Sequence, residues 1–90
     1  MAIKKPNHSL IVVALYKIIA NDGTNISIVF DKLKEEFAIK NWMTMVRGPM
    51  QAMKNAGLID RTEDTSNEIW FKVSKKKMTD EQVLKAVGLL

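Results

Sequence analysis

A chain of 90 residues supports one domain with one modest core and leaves little room for a separate catalytic unit. An apolar share of 47% and a charged share of 27% exclude a disordered tail, and the absence of cysteine excludes disulfides, thiolate metal clusters and cysteine nucleophiles. The formal net charge of +4 favours polyanionic partners, so where that charge sits matters more than its sum.

Residues 1–8 carry Lys4 and Lys5 ahead of Pro6 and read as a flexible basic arm. A first helix is predicted from about Ser9, as N-cap, to Ala20, with Gly23 in the exit turn. Leu10, Val13 and Tyr16 fall on one side of it, and Ile11, Ala14, Leu15, Ile18 and Ile19 on another, so the helix is apolar nearly all round. A core this small rarely covers every face of a helix, and the excess predicts a second contact surface, that of a homodimer partner. The apolar run Leu10 to Tyr16 is too short to span a bilayer, and no small-residue cleavage signature follows it. The expectation is a cytoplasmic protein with no membrane partner.

Thr24 to Ile26 is a short β-like stretch, after which Ser27 can cap a second helix from about Ile28 to Phe37 with Val29, Phe30, Leu33 and Phe37 inward. Its other face mixes Asp31, Lys32, Lys34, Glu35 and Glu36, an ordinary solvated surface. A turn at 38–41 leads to a third helix from Asn41 or Trp42 to about Ala56, ending at Gly57. Trp42, Val46, Met50 and Met53 cluster on its inner side, with Thr44, Arg47, Gln51 and Asn55 on a different one, flanked by Lys40 and Lys54. Met43 and Met45 complete a methionine-rich stretch that reads as core filler. Gly48-Pro49 interrupts this helix: either the proline kinks it, or Gly48 caps a new helix of about two turns and Arg47 drops into the turn. The apolar side keeps its phase across the proline, which favours the kink.

Leu58 to Thr62 and Ile69 to Val73 are strand-like, joined by a polar hairpin tip from Glu63 to Glu68. A last helix begins at Thr79 and Gln82, which form a capping box, with Val83, Leu84, Val87 and Leu90 on its apolar side.

The junction Met53-Lys54-Asn55-Ala56-Gly57-Leu58-Ile59-Asp60, in the order helix, short strand, helix, turn, helix, hairpin, resembles the winged helix-turn-helix superfamily over about residues 9–74. The resemblance implies a mainly α fold with a small β-hairpin, a three-helix core and a two-stranded wing; the capped C-terminal helix at 75–90 follows it and is expected to pack on the domain or dimerise. Gly57 takes the left-handed conformation at the helix C-terminus, and Leu58 and Ile59 return to the core as the first wing strand.

A helix of this kind fits the DNA major groove, where Arg reads guanine and Asn or Gln reads adenine through paired hydrogen bonds. From Lys40 to Ile59 there are three basic residues and no acidic one. The expectation is a small regulator that binds double-stranded DNA as a homodimer, with Arg47 and Gln51 foremost at base edges and Thr44 and Asn55 beside them. Lys40 and Lys54 would touch phosphates, and Arg61 and Lys72 are the wing's candidate contacts. Asp60, Glu63, Asp64 and Glu68 count against the wing as a phosphate clamp. They keep open a competing function: a protein-interaction module that grips a protein partner through the first helix or the acidic wing. A third, single-strand binding through exposed Trp70 and Phe71, is weaker, since both lie in apolar patterns. His8 is the only histidine, and neither a phosphate-cradling glycine loop nor a nucleophile elbow is present, so no enzyme activity, metal or cofactor is expected.

Overall fold

Asparagine sets the start of three helical segments. In the computed structural model, which describes residues 3–62 and 67–90, α1 (His8–Ile18) begins after Asn7. The Asn7 Oδ1 accepts the backbone N–H of Ser9 at 2.9 Å and of Leu10 at 3.3 Å. Likewise α2 (Ile26–Glu36) follows Asn25, whose Oδ1 accepts the Ser27 N–H at 2.9 Å and the Ser27 hydroxyl at 2.8 Å. The predicted caps Ser9 and Ser27 thus lie two residues inside their helices. In both Asn-x-Ser triplets the asparagine reaches the orphan amides first, which starts the helix one or two residues earlier. Asn41 does the same for Thr44, at 3.2 Å.

The third segment is helical without a break from Trp42 to Asn55: a π turn at Met43–Arg47 runs into α3 (Gly48–Asn55). Gly48 has helical φ and ψ of −58° and −56° and donates its N–H to the Met43 carbonyl, one residue wider than α-helical spacing. The helix thus runs on through Gly48-Pro49, as the favoured alternative expected, and does so by a π turn that the sequence pattern does not predict. The wider turn displaces the carbonyl that the Pro49 ring would meet, so the ring is accommodated, and buried, with the helix intact. Gly57 ends the helix as predicted, with φ +80°, Leu58 N–H donating to the Met53 carbonyl and Gly57 N–H to the Lys54 carbonyl, both at 3.0 Å.

The strands β1 (Thr24–Asn25), β2 (Ile59–Arg61) and β3 (Ile69–Lys72) form an antiparallel sheet in the order β1-β3-β2. Thr24 pairs with Trp70, and Ile59 with Lys72. The expected two-stranded hairpin is therefore three-stranded, because β3 offers its second edge to β1. Helix α4 (Asp80–Ala86) opens on the predicted box: Thr79 Oγ1 accepts the Gln82 N–H at 3.1 Å and Gln82 Oε1 accepts the Thr79 N–H at 2.9 Å. The described residues form a small α+β fold of four helices and one sheet.

Its core centres on α1, which packs against α2, α3 and α4. Ile11, Val12 and Leu15 of α1 meet Val29 and Leu33 of α2, and Val46, Met50 and Met53 of the third segment join them with Trp70 and Val83. Burial of each such side chain stabilises by about 1.5–3 kcal/mol. The chain itself thus covers most of the helix predicted to be apolar all round; of α1's large apolar side chains only Leu10, 49% exposed, stays open. Because α4 buries Val83 against α1, it packs on its own domain, while Leu90 beyond it is exposed.

The basic arm is also tied down over its described residues. Lys4 forms a parallel bridge to Phe37, donating its N–H to the Glu36 carbonyl at 2.9 Å and accepting that of Ala38 at 3.1 Å. Among the described residues, no helix is long and apolar enough to cross a membrane.

Candidate nucleic-acid interface

The inner side of the third segment is fixed by Val46, Pro49, Met50 and Met53, all buried, and by Trp42, which stacks on Phe30 at 4.0 Å between ring centroids with 6° between the planes. That anchoring turns Thr44, Gln51 and Asn55 to the surface, where all three are exposed. Gln51 and Asn55 lie one turn apart, and Gln51 Nε2 donates to Asn55 Oδ1 at 2.9 Å, so each amide orients the other. Met43 is 65% exposed and does not serve as core filler, because the π turn rotates it out of the apolar stripe.

Arg47 is placed differently from its neighbours. It is partly buried, and its two terminal nitrogens donate to the two oxygens of Glu68, at 3.0 and 2.7 Å. Trp70 Nε1 also donates to Glu68, at 2.8 Å, and Arg61 approaches it at 3.7 Å with its guanidinium 5.9 Å from the Trp70 ring. The Arg47 hydrogen bonds hold the Glu68 carboxyl below its ordinary pKa; the Trp70 bond and the Arg61 charge act in the same direction, against partial burial. Two of the predicted DNA-contacting cations therefore converge on one carboxylate beside β3. Trp70 is 2% exposed with its N–H satisfied, which removes the exposed ring that single-strand stacking through Trp70 required.

Lys54 is partly buried and lies 3.9 Å from Asp60, a long and weak pair. Lys40 is exposed and, with Lys5, lines an apolar groove formed by Ile3, Pro6, Ala38 and Met45. Lys72 joins none of these residues: its Nζ lies 4.6 Å from the Tyr16 ring centroid, against α1. The predicted set thus divides into an exposed amide-and-hydroxyl face, an arginine pair held by Glu68, two flanking lysines, and Lys72 in another environment. Of the four acids attributed to the wing, Glu63 and Asp64 lie outside the described residues.

Glu68 is the residue of this cluster that the sequence conceals, since it reads there as one more wing acid. Twenty-one residues separate it from Arg47, and no local pattern pairs them. The signal present was the indole at Trp70: a buried Trp N–H needs an acceptor, and Glu68 stands two residues before it. Comparison with protein-family models, with curated proteins and with solved structures finds no match.

Proposed function

We propose that this chain is a winged helix-turn-helix protein that binds double-stranded DNA with the outer face of its third helix. The observation that carries the proposal is the exposed, acid-free face Thr44, Gln51 and Asn55, held outward by the buried side at Val46, Met50 and Met53. The order of the helices and strands, with β1 against β3, supports the same reading, since a helix framed by a hairpin in this way fits a major groove. In the Gln51–Asn55 pair, Gln51 keeps its carbonyl oxygen and Asn55 keeps both amide hydrogens. An acceptor beside a donor is what the N6 and N7 edge of adenine requires.

Arg47 takes a positioning role in this proposal, bracing the hairpin against the helix, and base reading falls to the amides. Lys40 and Lys54 serve the flanking phosphates. The protein regulates transcription or replication by occupying its site, and two copies acting on two half-sites would supply the specificity that one short helix lacks. Selection of bound duplexes from a random pool, with wild type beside Gln51→Ala, tests this. A consensus that contains an adenine in wild type and loses it in the variant is expected; enrichment of nothing by wild type would overturn the proposal.

One observation favours a protein partner instead: the apolar groove beside Met45, with Met43 exposed nearby in sequence. The salt dependence separates the two functions, because phosphate contacts make affinity fall steeply as salt rises and an apolar groove does not.

A further inference from the structure

The third helix, with Arg47 and Lys54, is not the densest gathering of positive charge in this protein. Five lysines, Lys17, Lys72, Lys75, Lys76 and Lys77, line one cavity of about 200 Å³ together with a single acid, Asp80. That balance of five to one equals the formal net charge of the whole chain, so the remaining residues are neutral in sum. None of the residues lining the cavity belongs to the face formed by Thr44, Gln51 and Asn55.

The corner is built, not merely a run of surface lysines. Asn21 Nδ2 donates to the Ser74 carbonyl at 3.2 Å, joining the turn after α1 to the link between β3 and α4. Within that link the Lys76 N–H donates to the Ser74 hydroxyl at 3.2 Å, and Thr79 fixes its far end by capping α4. Lys72 is partly buried and rests on the Tyr16 ring, with its backbone N–H donating to the Ala20 carbonyl at 3.2 Å. Asp80 reaches only Lys17, at 3.6 Å, and among the described residues Lys72, Lys75, Lys76 and Lys77 form no ion pair. Gathering ammonium groups without carboxylates is unfavourable, and an anion that enters relieves the repulsion.

We propose that this corner binds the phosphates of a nucleic-acid backbone, as a second contact apart from the third helix. Lysine serves as a compact point charge for phosphate, with none of the planar geometry that base reading needs. The cavity is smaller than the roughly 300–1,000 Å³ of small-molecule pockets, and the three lysines of the link are exposed beside it, which suits a passing backbone better than an enclosed metabolite. This inference shares its ligand with the proposed function but none of its residues.

Two measurements test it. In amide NMR spectra of the full chain titrated with a random duplex, shifts are expected at residues 72–78 and at Tyr16 and Lys17. The same phosphate concentration supplied as inorganic tripolyphosphate should move those amides less, because it spans only part of the corner. Equal shifts with tripolyphosphate would overturn a backbone site in favour of a small polyanion, and no shift at 72–78 with duplex would overturn it altogether. Shifts at 72–78 without any on the third helix would instead sink the proposed function and leave this inference standing. In binding titrations, Lys75→Gln/Lys77→Gln should make the dependence of log affinity on log salt shallower by about 1–2, against no more than about 0.5 for the control pair Lys34→Gln/Lys85→Gln. Equal loss of slope in both doubles would overturn it. All four lysines are exposed, so the thermal midpoint of each double variant should match wild type.

Discussion

Arg47 grips Glu68 with two parallel hydrogen bonds, at 3.0 and 2.7 Å, and so ties the middle of the third helix to the residue that precedes β3. The side chains are 33% and 21% exposed, enough cover for a paired geometry to count and too little to treat them as an interior pair. Arg47→Ala should destabilise by about 1 kcal/mol and Glu68→Ala by about 2 kcal/mol. The order follows from Trp70, whose buried N–H loses its acceptor only in the second variant. Thermal unfolding checks this, since each kcal/mol moves the midpoint of a domain of this size by about 4–8 °C. Equal midpoints for the two variants would refute a shared role for Glu68.

The same carboxylate predicts an acid limb in stability. Its pKa is held below 4.5 in the folded protein, first by the hydrogen bonds from Arg47 and then by Trp70 and Arg61. A group depressed in this way contributes stability that is full above its unfolded pKa and is lost as pH falls through the folded value. Urea unfolding at steps from pH 6 to pH 3 should therefore show wild type losing stability below about pH 4.5, and Glu68→Gln losing less over the same interval. Parallel curves for the two proteins would place the acid sensitivity elsewhere.

What the sequence made legible was local. Gly57-Leu58-Ile59 predicted a left-handed helix end and a strand, and Thr79 with Gln82 predicted a capping box, because each signal lies within one turn of chain. The asparagine caps were missed where a serine two residues later offered a nearly equal cap and the choice turned on which oxygen meets the amides. The π turn was missed because its cause, Pro49, lies outside it. The exposed face was legible in Thr44, Gln51 and Asn55, since one helical period sets it; the capture of Arg47 was not, since it joins positions 21 residues apart across a sheet. Neither was the lysine corner, which reads as a mere bridge at 75–77 until α1 brings Lys17 beside it.

Three glycines should respond to alanine to different degrees. Gly48 has helical dihedrals, and beyond its chain neighbours an added Cβ would meet the Met43 carbonyl oxygen at 3.8 Å, an ordinary contact, while the ring of Pro49 crowds the Cβ of any helical residue before it. Gly48→Ala should thus be the mildest of the three, because the gain of about 0.5–1 kcal/mol from reduced freedom of the unfolded chain is offset by that crowding. Gly57 has φ +80° with open space around it, so Gly57→Ala should cost about 1–2 kcal/mol from the backbone alone. At Gly23, φ +113° coincides with an Ile69 methyl 2.8 Å from the added Cβ, and its variant should be the least stable of the three. Denaturant midpoints rank them; a Gly48→Ala variant less stable than Gly57→Ala would overturn this order.

The last prediction concerns which residue reads DNA. If Arg47 were a base reader restrained by Glu68, removing the carboxylate would free the guanidinium and raise affinity, while removing the arginine would lower it. Under the positioning role the two opposite charges act together, so Arg47→Ala and Glu68→Gln should both weaken specific binding by a similar factor, about 3–10, through a displaced hairpin. Gln51→Ala and Asn55→Ala, both at exposed positions, should leave the thermal midpoint unchanged and lose about 1–3 kcal/mol of discrimination between the selected site and a random duplex. Anisotropy titrations of all four variants on both duplexes measure this. A gain in affinity for Glu68→Gln would return Arg47 to the bases and make Glu68 its competitor, because only a guanidinium that the carboxylate withholds from DNA can profit from the loss of that charge.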